Sequence, residues 1–122
     1  MISILISIVD DDPVVRDATA DLLNSLGFTA LGFESAEEFL DSDHIKSTGC
    51  VITDQQLPGL TGTELQAQLR ADGYQTPIIF ITAFPEPSVR KQALEAGAVA
   101  FLPKPFEQND LLRSIESAFG RH

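Results

Sequence analysis

The sequence predicts an α/β fold: a doubly wound, five-stranded parallel sheet in the order 2-1-3-4-5, with five helices. Two observations carry this. Short apolar runs alternate with helix-spaced segments five times along the chain. Alternation of that kind implies parallel strands joined by helices that cover both sheet faces. In addition, polar residues fall where the apolar runs stop, as expected when a site lies at the carboxyl ends of strands.

The elements follow in order. Residues 2–9 are rich in isoleucine and read as a buried strand. Asp12 can cap a helix and Pro13 suits its first position. Val14, Val15, Ala18, Leu22, Leu23 and Leu26 then recur at helical spacing, and Gly27 closes the helix. Residues 28–33 form a second, shorter strand. Ser35 to Glu38 has the pattern of a capping box and opens a short helix through Leu40. Residues 41–48 are the most polar stretch and read as a surface loop. Residues 50–53 are the third strand. Pro58-Gly59 marks a turn. Thr61 to Glu64 is a second capping box, with Leu65 and Leu69 following on one helix face. Residues 77–81 are the fourth strand, and a helix runs from about Pro87 to Ala96, stopping at Gly97. Residues 99–102 are the fifth strand. The last helix covers about residues 108–119, with Leu111, Leu112, Ile115 and Phe119 facing inward.

Composition narrows the function. A chain of 122 residues fits one domain, here residues 1–122, with no linker, repeat or low-complexity segment. Eighteen acids against eight bases leave a net charge of −10, which argues against direct nucleic-acid binding and against an anionic membrane surface. The single cysteine, Cys50, excludes an internal disulfide framework, fits a reducing compartment and reads as an inert core thiol. No apolar run reaches the ~18 residues of a spanning helix. The apolar start runs into three aspartates without preceding basic residues, a poor signal peptide and a good strand. A cytoplasmic location is expected. His44 and His122 are far apart in sequence, which argues against a histidine metal site.

Asp10, Asp11 and Asp12 end the first strand, Asp54 the third and Thr82 the fourth, and Lys104 follows the fifth. In the order 2-1-3-4-5 the strand order reverses between the first and third strands, where ligands bind. With strands ~4.8 Å apart, Asp11 and Asp54 are neighbours across that point, and Thr82 sits one strand beyond. The fifth strand lies roughly 10 Å from Asp54 by the same rule. The four-carbon stem of Lys104 can carry its ammonium much of that way. Carboxylates packed together need a cation or raised proton affinities. Oxygen ligands without histidine or cysteine suit a hard ion such as Mg²⁺. A metal, a lysine and a hydroxyl around one carboxylate make a place for a phosphoryl group, and a carboxylate can itself attack phosphorus. The plainer readings are a capped helix start at Asp10 to Asp12, a solvated Lys104 and a Thr82 that merely ends a strand. The register of the whole set favours the site, with Asp12 the member best explained as a cap alone.

Those residues lie in the stretches Ile8-Val-Asp-Asp-Asp-Pro13, Thr53-Asp-Gln-Gln-Leu-Pro-Gly59, Ile79-Phe-Ile-Thr-Ala83, Ala93-Leu-Glu-Ala-Gly-Ala98 and Phe101-Leu-Pro-Lys-Pro-Phe106. With them the sequence resembles the receiver domains of two-component response regulators, most closely the receiver of FixJ-type transcriptional regulators. The resemblance covers nearly the whole chain and implies a flavodoxin-like receiver fold. It implies that Asp54 is the phosphoacceptor. It further implies that Asp11 binds Mg²⁺ (or Mn²⁺ in its place) directly, Asp10 mainly through water, and Gln56 through its backbone carbonyl. Thr82 would bond the phosphoryl group and Lys104 would pair with one of its oxygens. Phe101 would turn inward on activation and alter the face made by the fourth helix, fifth strand and fifth helix. The implied partners are a histidine kinase or a histidine phosphotransfer protein, an effector domain or output protein, and a second copy of the chain on phosphorylation. The resemblance also raises the expectation of a cis Lys104–Pro105 bond.

Some positions depart from the family pattern. Gln55 stands where an aliphatic residue is usual. Gln56 stands two residues after the acceptor, where side chains tune phosphoryl lifetime; an amide there either positions or blocks attacking water. Ala83 is small and leaves the phosphoryl site accessible, whereas Phe84, Pro85 and Pro87 stiffen the next loop. Phe84 is either a partner contact or a loop anchor. The expected function is thus a phosphoacceptor with slow self-dephosphorylation rather than a metabolic enzyme. The alternative is a receiver-like interaction module that works without phosphorylation. A dedicated phosphatase is disfavoured because Gln56 stands where a second acid is expected. Nucleotide binding is disfavoured because no glycine-rich phosphate loop follows the first strand.

Overall fold

A computed structural model describes residues 4–120, so the start of the expected first strand and His122 lie outside the described residues. The elements are β1 (Leu5–Val9), α1 (Pro13–Ser25), β2 (Thr29–Phe33), α2 (Ala36–Leu40), β3 (Cys50–Asp54), α3 (Gly62–Ala71), β4 (Ile78–Thr82), α4 (Pro87–Glu95), β5 (Ala100–Pro103) and α5 (Gln108–Ala118). All strand pairs are parallel and the order is β2-β1-β3-β4-β5, as expected from the sequence. No helix among the described residues is long and apolar enough to cross a membrane.

Because side chains alternate across a strand, the sheet divides the core in two. Val9, Val51, Phe80 and Phe101 pack on one face with Phe39, Leu65, Leu69 and Ala93 of α2, α3 and α4. Ile6, Ile8, Ile52, Ile79 and Ile81 pack on the other face with Leu23, Leu111 and Ile115 of α1 and α5. The central strands β3 and β4 are buried along their whole length, which explains their unbroken apolar character.

The helix starts are fixed locally. Asp12 accepts hydrogen bonds from the Val14 and Val15 N–H groups ahead of Pro13. Thr61 and Glu64 form the complete reciprocal box at α3. At α2 only half of the expected box forms. Ser35 accepts from the Glu38 N–H, but the Glu38 carboxylate takes the N–H of Glu34, one residue earlier than expected. Gly27 lies at φ 95°, the left-handed conformation that ends α1 without a Cβ penalty. Two side chains depart from the expected pattern. Val14 is 75% exposed, in the first turn of α1, where it lines an open groove with Ala18, Leu22 and Phe106. Thr48, the last residue of the polar loop, is buried. Its hydroxyl meets that of Ser7 on β1 at 2.8 Å and satisfies both.

Candidate functional site

β1 and β3 are neighbours, and each delivers an aspartate at its carboxyl end. Val9 pairs with Thr53, so Asp10 and Asp54 emerge side by side. Both are nearly buried, at 4% and 8% exposure, whereas Asp11 is exposed. Carboxylate oxygens of Asp10, Asp11 and Asp54 lie within 4.8 Å of one another. The expected neighbours across the strand reversal are therefore brought together, with Asp10 as a third member. Asp12 is used as the helix cap.

Lys104 follows β5 and reaches across β4 to the acids. Its Nζ donates to Asp10 Oδ2 and to Asp54 Oδ2, each at 2.9 Å. The stem thus spans the gap that the strand spacing demanded. Partial burial works against the ammonium. The hydrogen bonds to Asp54 and Asp10, together with the charges of the same two carboxylates, outweigh it and hold the Lys104 pKa above its ordinary value. The Lys104–Pro105 peptide is cis.

Other oxygens of the acids are also engaged. Asp54 Oδ1 accepts from the Gln56 backbone N–H at 3.1 Å. Asp10 Oδ1 accepts from the Asp12 N–H at 2.9 Å. Arg16, one turn into α1, donates from Nη1 to the Asp10 carbonyl at 2.8 Å and so ties the end of β1 to the helix. Sequence reasoning did not single out Arg16; its place one turn after the aspartates is the signal that could have found it.

Thr82 ends β4, one strand beyond Asp54, and is fully buried. Its hydroxyl donates to the side-chain oxygen of Gln56 at 2.5 Å and accepts from the Phe84 N–H at 3.2 Å. Gln55 turns to the opposite task. Its oxygen accepts from the Thr63 N–H at 2.9 Å and its amide donates to the Thr63 hydroxyl at 3.2 Å, so it closes the start of α3. Gly62 lies beneath this loop, where an added Cβ would stand 2.5 Å from the Asp54 carbonyl oxygen. Phe101 is only 7% exposed and stacks on Phe80, with ring centroids 5.6 Å apart. Its ring is thus turned inward, the orientation expected of it in the activated state. Phe84 is 67% exposed. Cys50 lies in the core away from this cluster, and burial pushes its thiol pKa up to about 12, so it stays protonated.

The donor set is chemically coherent. Three carboxylates, with neither imidazole nor thiolate among them, suit a small hard divalent ion and not a soft one. The ammonium opposite them suits an anionic oxygen. Such a site can hold a divalent cation and a phosphoryl group around one carboxylate.

Comparison with known proteins agrees. The family model described as the response regulator receiver domain matches residues 6–116. The transcriptional regulatory protein TdiR of Thauera aromatica is 40% identical over 111 residues, covering 91% of this chain and 49% of that protein. The transcriptional regulatory protein FixJ of Bradyrhizobium diazoefficiens is 41% identical over 113 residues, covering 93% of this chain and 55% of that protein. The chain thus spans about half the length of these relatives. Among solved structures, the response regulator StyR superposes with a TM-score of 0.89 at 40% identity, covering 98% of this chain and 60% of that one. FixJ-N superposes with a TM-score of 0.87 at 33% identity, covering 100% of this chain and 98% of that one. Sequence, topology and the strand-end acids converge, and the chain belongs to the response regulator receiver family, as a receiver domain of FixJ type.

Proposed function

We propose that this domain takes a phosphoryl group onto Asp54 from the phosphohistidine of a histidine kinase or histidine phosphotransfer protein. The observation that carries the reading is the Asp54 carboxylate itself. It is nearly buried, shares a 4.8 Å cluster with Asp10 and Asp11, and meets the Lys104 ammonium at 2.9 Å. In the transfer a carboxylate oxygen of Asp54 bonds to phosphorus, the phosphorus–nitrogen bond breaks, and the imidazole leaves with a proton from solvent. Asp10, Asp11 and Asp54, with the Gln56 carbonyl, would hold Mg²⁺, or Mn²⁺ in its place. A bound divalent ion supplies charge neutralisation at the transferring oxygens. Lys104 holds an oxygen of the transferred group with a fixed positive charge, and Thr82 bonds another.

The transfer leaves the protein modified rather than returning it to its starting state, so the domain acts as a phosphoacceptor switch with slow self-dephosphorylation. Thr82 and Phe101 are the switch residues of this reading. The face made by α4, β5 and α5 carries the response to an effector domain, an output protein or a second copy of the chain. The acidic composition fits protein partners rather than direct nucleic-acid contact, and the reading places the domain in the cytoplasm.

The test is intact mass after incubation with Mg²⁺ and acetyl phosphate, for wild type and Asp54→Asn together. One phosphoryl adduct is expected on wild type, absent in Asp54→Asn and absent when the metal is chelated. No adduct on wild type, where a control receiver is labelled, would favour an interaction module that works without phosphorylation.

A further inference from the structure

We propose that the side chain of Gln56 is a resting-state latch, which holds the hydroxyl proton of Thr82 and must release it before Thr82 can turn to a phosphoryl group. The inference rests on the reading of Asp54 as acceptor and adds a competitor to it.

A threonine hydroxyl has one proton to give. In this structure Thr82 gives it to Gln56 Oε1 across 2.5 Å. The orientation is consistent on both sides of the hydroxyl, because the Phe84 N–H already fills an acceptor position of the same oxygen. With Gln56 in place Thr82 has no exposed surface, so its hydroxyl is satisfied by Gln56 and not by solvent. Gln56 is exposed, so its amide loses little when it lets go, since solvent takes over its hydrogen bonds. The two ends of the bond are therefore unequal. The buried hydroxyl has two acceptors open to it: the Gln56 oxygen at rest, or a phosphoryl oxygen on Asp54. One residue thus touches both parts of the switch. The Gln56 backbone N–H bonds Asp54 Oδ1 at the end of β3, while its side chain holds Thr82 at the end of the neighbouring strand β4.

The latch has a signature that a general effect of residue 56 does not. Gln56→Leu strands the Thr82 proton in the resting state and raises only that state's free energy. Binding of a phosphoryl mimic should then tighten. With Thr82→Val there is no proton to compete for, and the same change at residue 56 should do nothing through this route.

The experiment titrates beryllium fluoride with Mg²⁺ into wild type, Gln56→Leu, Thr82→Val and the double variant, followed by amide NMR. About five- to ten-fold tighter binding is expected for Gln56→Leu, the worth of one stranded buried donor. The gain should vanish in the Thr82→Val background. Unchanged or weaker binding in Gln56→Leu, or a gain that survives Thr82→Val, would overturn the latch. A second arm uses no mimic and follows the Thr82 hydroxyl proton directly. Slow exchange in wild type that is lost in Gln56→Leu supports the bond, and fast exchange in both proteins overturns it. If wild type neither binds the mimic nor forms the Asp54 adduct, the acceptor reading fails, and the hydroxyl arm still decides the bond itself.

Discussion

The loop after β3 carries Gln55 and Gln56 behind Asp54, and it is fastened along its length. Gln55 grips Thr63 with both ends of its amide, Leu60 N–H is held by Glu37 of α2, and Thr61 and Glu64 cap each other. The loop after β4 is fastened far less. Among the described residues its N–H bonds are those from Phe84 to the Thr82 hydroxyl and from Glu86 to the Phe84 carbonyl. Glu86 stands at the start of α4 without a side-chain cap, and Phe84 projects outward. Under the proposed function, the contrast suits the two loops to different work. A nucleophilic carboxylate gains from being held still, because transfer needs alignment of the attacking oxygen. A segment that must rearrange is drawn from the parts with few buried contacts and little local stability.

The largest test of this contrast removes the ion pairs that hold Asp54, at the head of the first loop, and Asp10 to Lys104. In Lys104→Met, Asp10 and Asp54 face each other without a cation. A loss of about 2 to 3 kcal/mol in unfolding free energy is expected at neutral pH without metal, below the full cost of a buried pair because Lys104 keeps some exposure. The pH dependence has a definite sign. The folded pKa of Lys104 is raised above its ordinary 10.5, so its contribution is complete below that pH and fades as pH rises through the higher folded value. Urea midpoints across that alkaline range should fall in wild type, and the gap to Lys104→Met should close. A gap that stays constant would mean that Lys104 stabilises through packing and that the β3–α3 loop needs no counter-charge.

A smaller effect is expected within the fastened loop. Gly62→Ala places a Cβ 2.5 Å from the Asp54 carbonyl oxygen and 3.0 Å from Phe80, so backbone must shift. About 1 to 2 kcal/mol of stability should be lost, with slower labelling by acetyl phosphate because Asp54 moves with its carbonyl. Normal labelling would show that the loop tolerates displacement and weaken the contrast. The smallest effect belongs to the other loop. Phe84→Ser should change the thermal or urea stability by less than ~0.5 kcal/mol, since the ring is largely in solvent. A loss beyond 1 kcal/mol, roughly the scale of a packed side chain, would show that the ring anchors the loop.

Much of this architecture is legible in the sequence. The apolar runs place the five strands to within a few residues, and the strand-end aspartates, Thr82 and Lys104 assemble where the parallel order requires. What escapes is tertiary. The two glutamines are adjacent and alike in chemistry, yet Gln55 faces α3 and Gln56 faces β4, because the backbone turns between them. No spacing rule links Gln56 to Thr82, which lies 26 residues further on. Glu38 was expected to close a box on Ser35 and instead holds Glu34, a choice made by the path of the chain leaving β2. The burial of Thr48 depends on a hydroxyl 41 residues away, so polarity alone marks it wrongly as surface.

The two-sided core has a mechanical consequence. Phe80 and Thr82 are two residues apart on β4 and so share a face, and Phe101, paired with Phe80, lies on that same side. Ile79 and Ile81 point the other way, into the layer under α1 and α5. The sheet is therefore a bulkhead between two compartments. A change of volume around Thr82 and Phe101 is met first by the side chains of α3 and α4, which pack on the same face. The link to the α5 side is β5 itself, whose Phe101 packs in one compartment and whose Ala100 and Leu102 pack against the other.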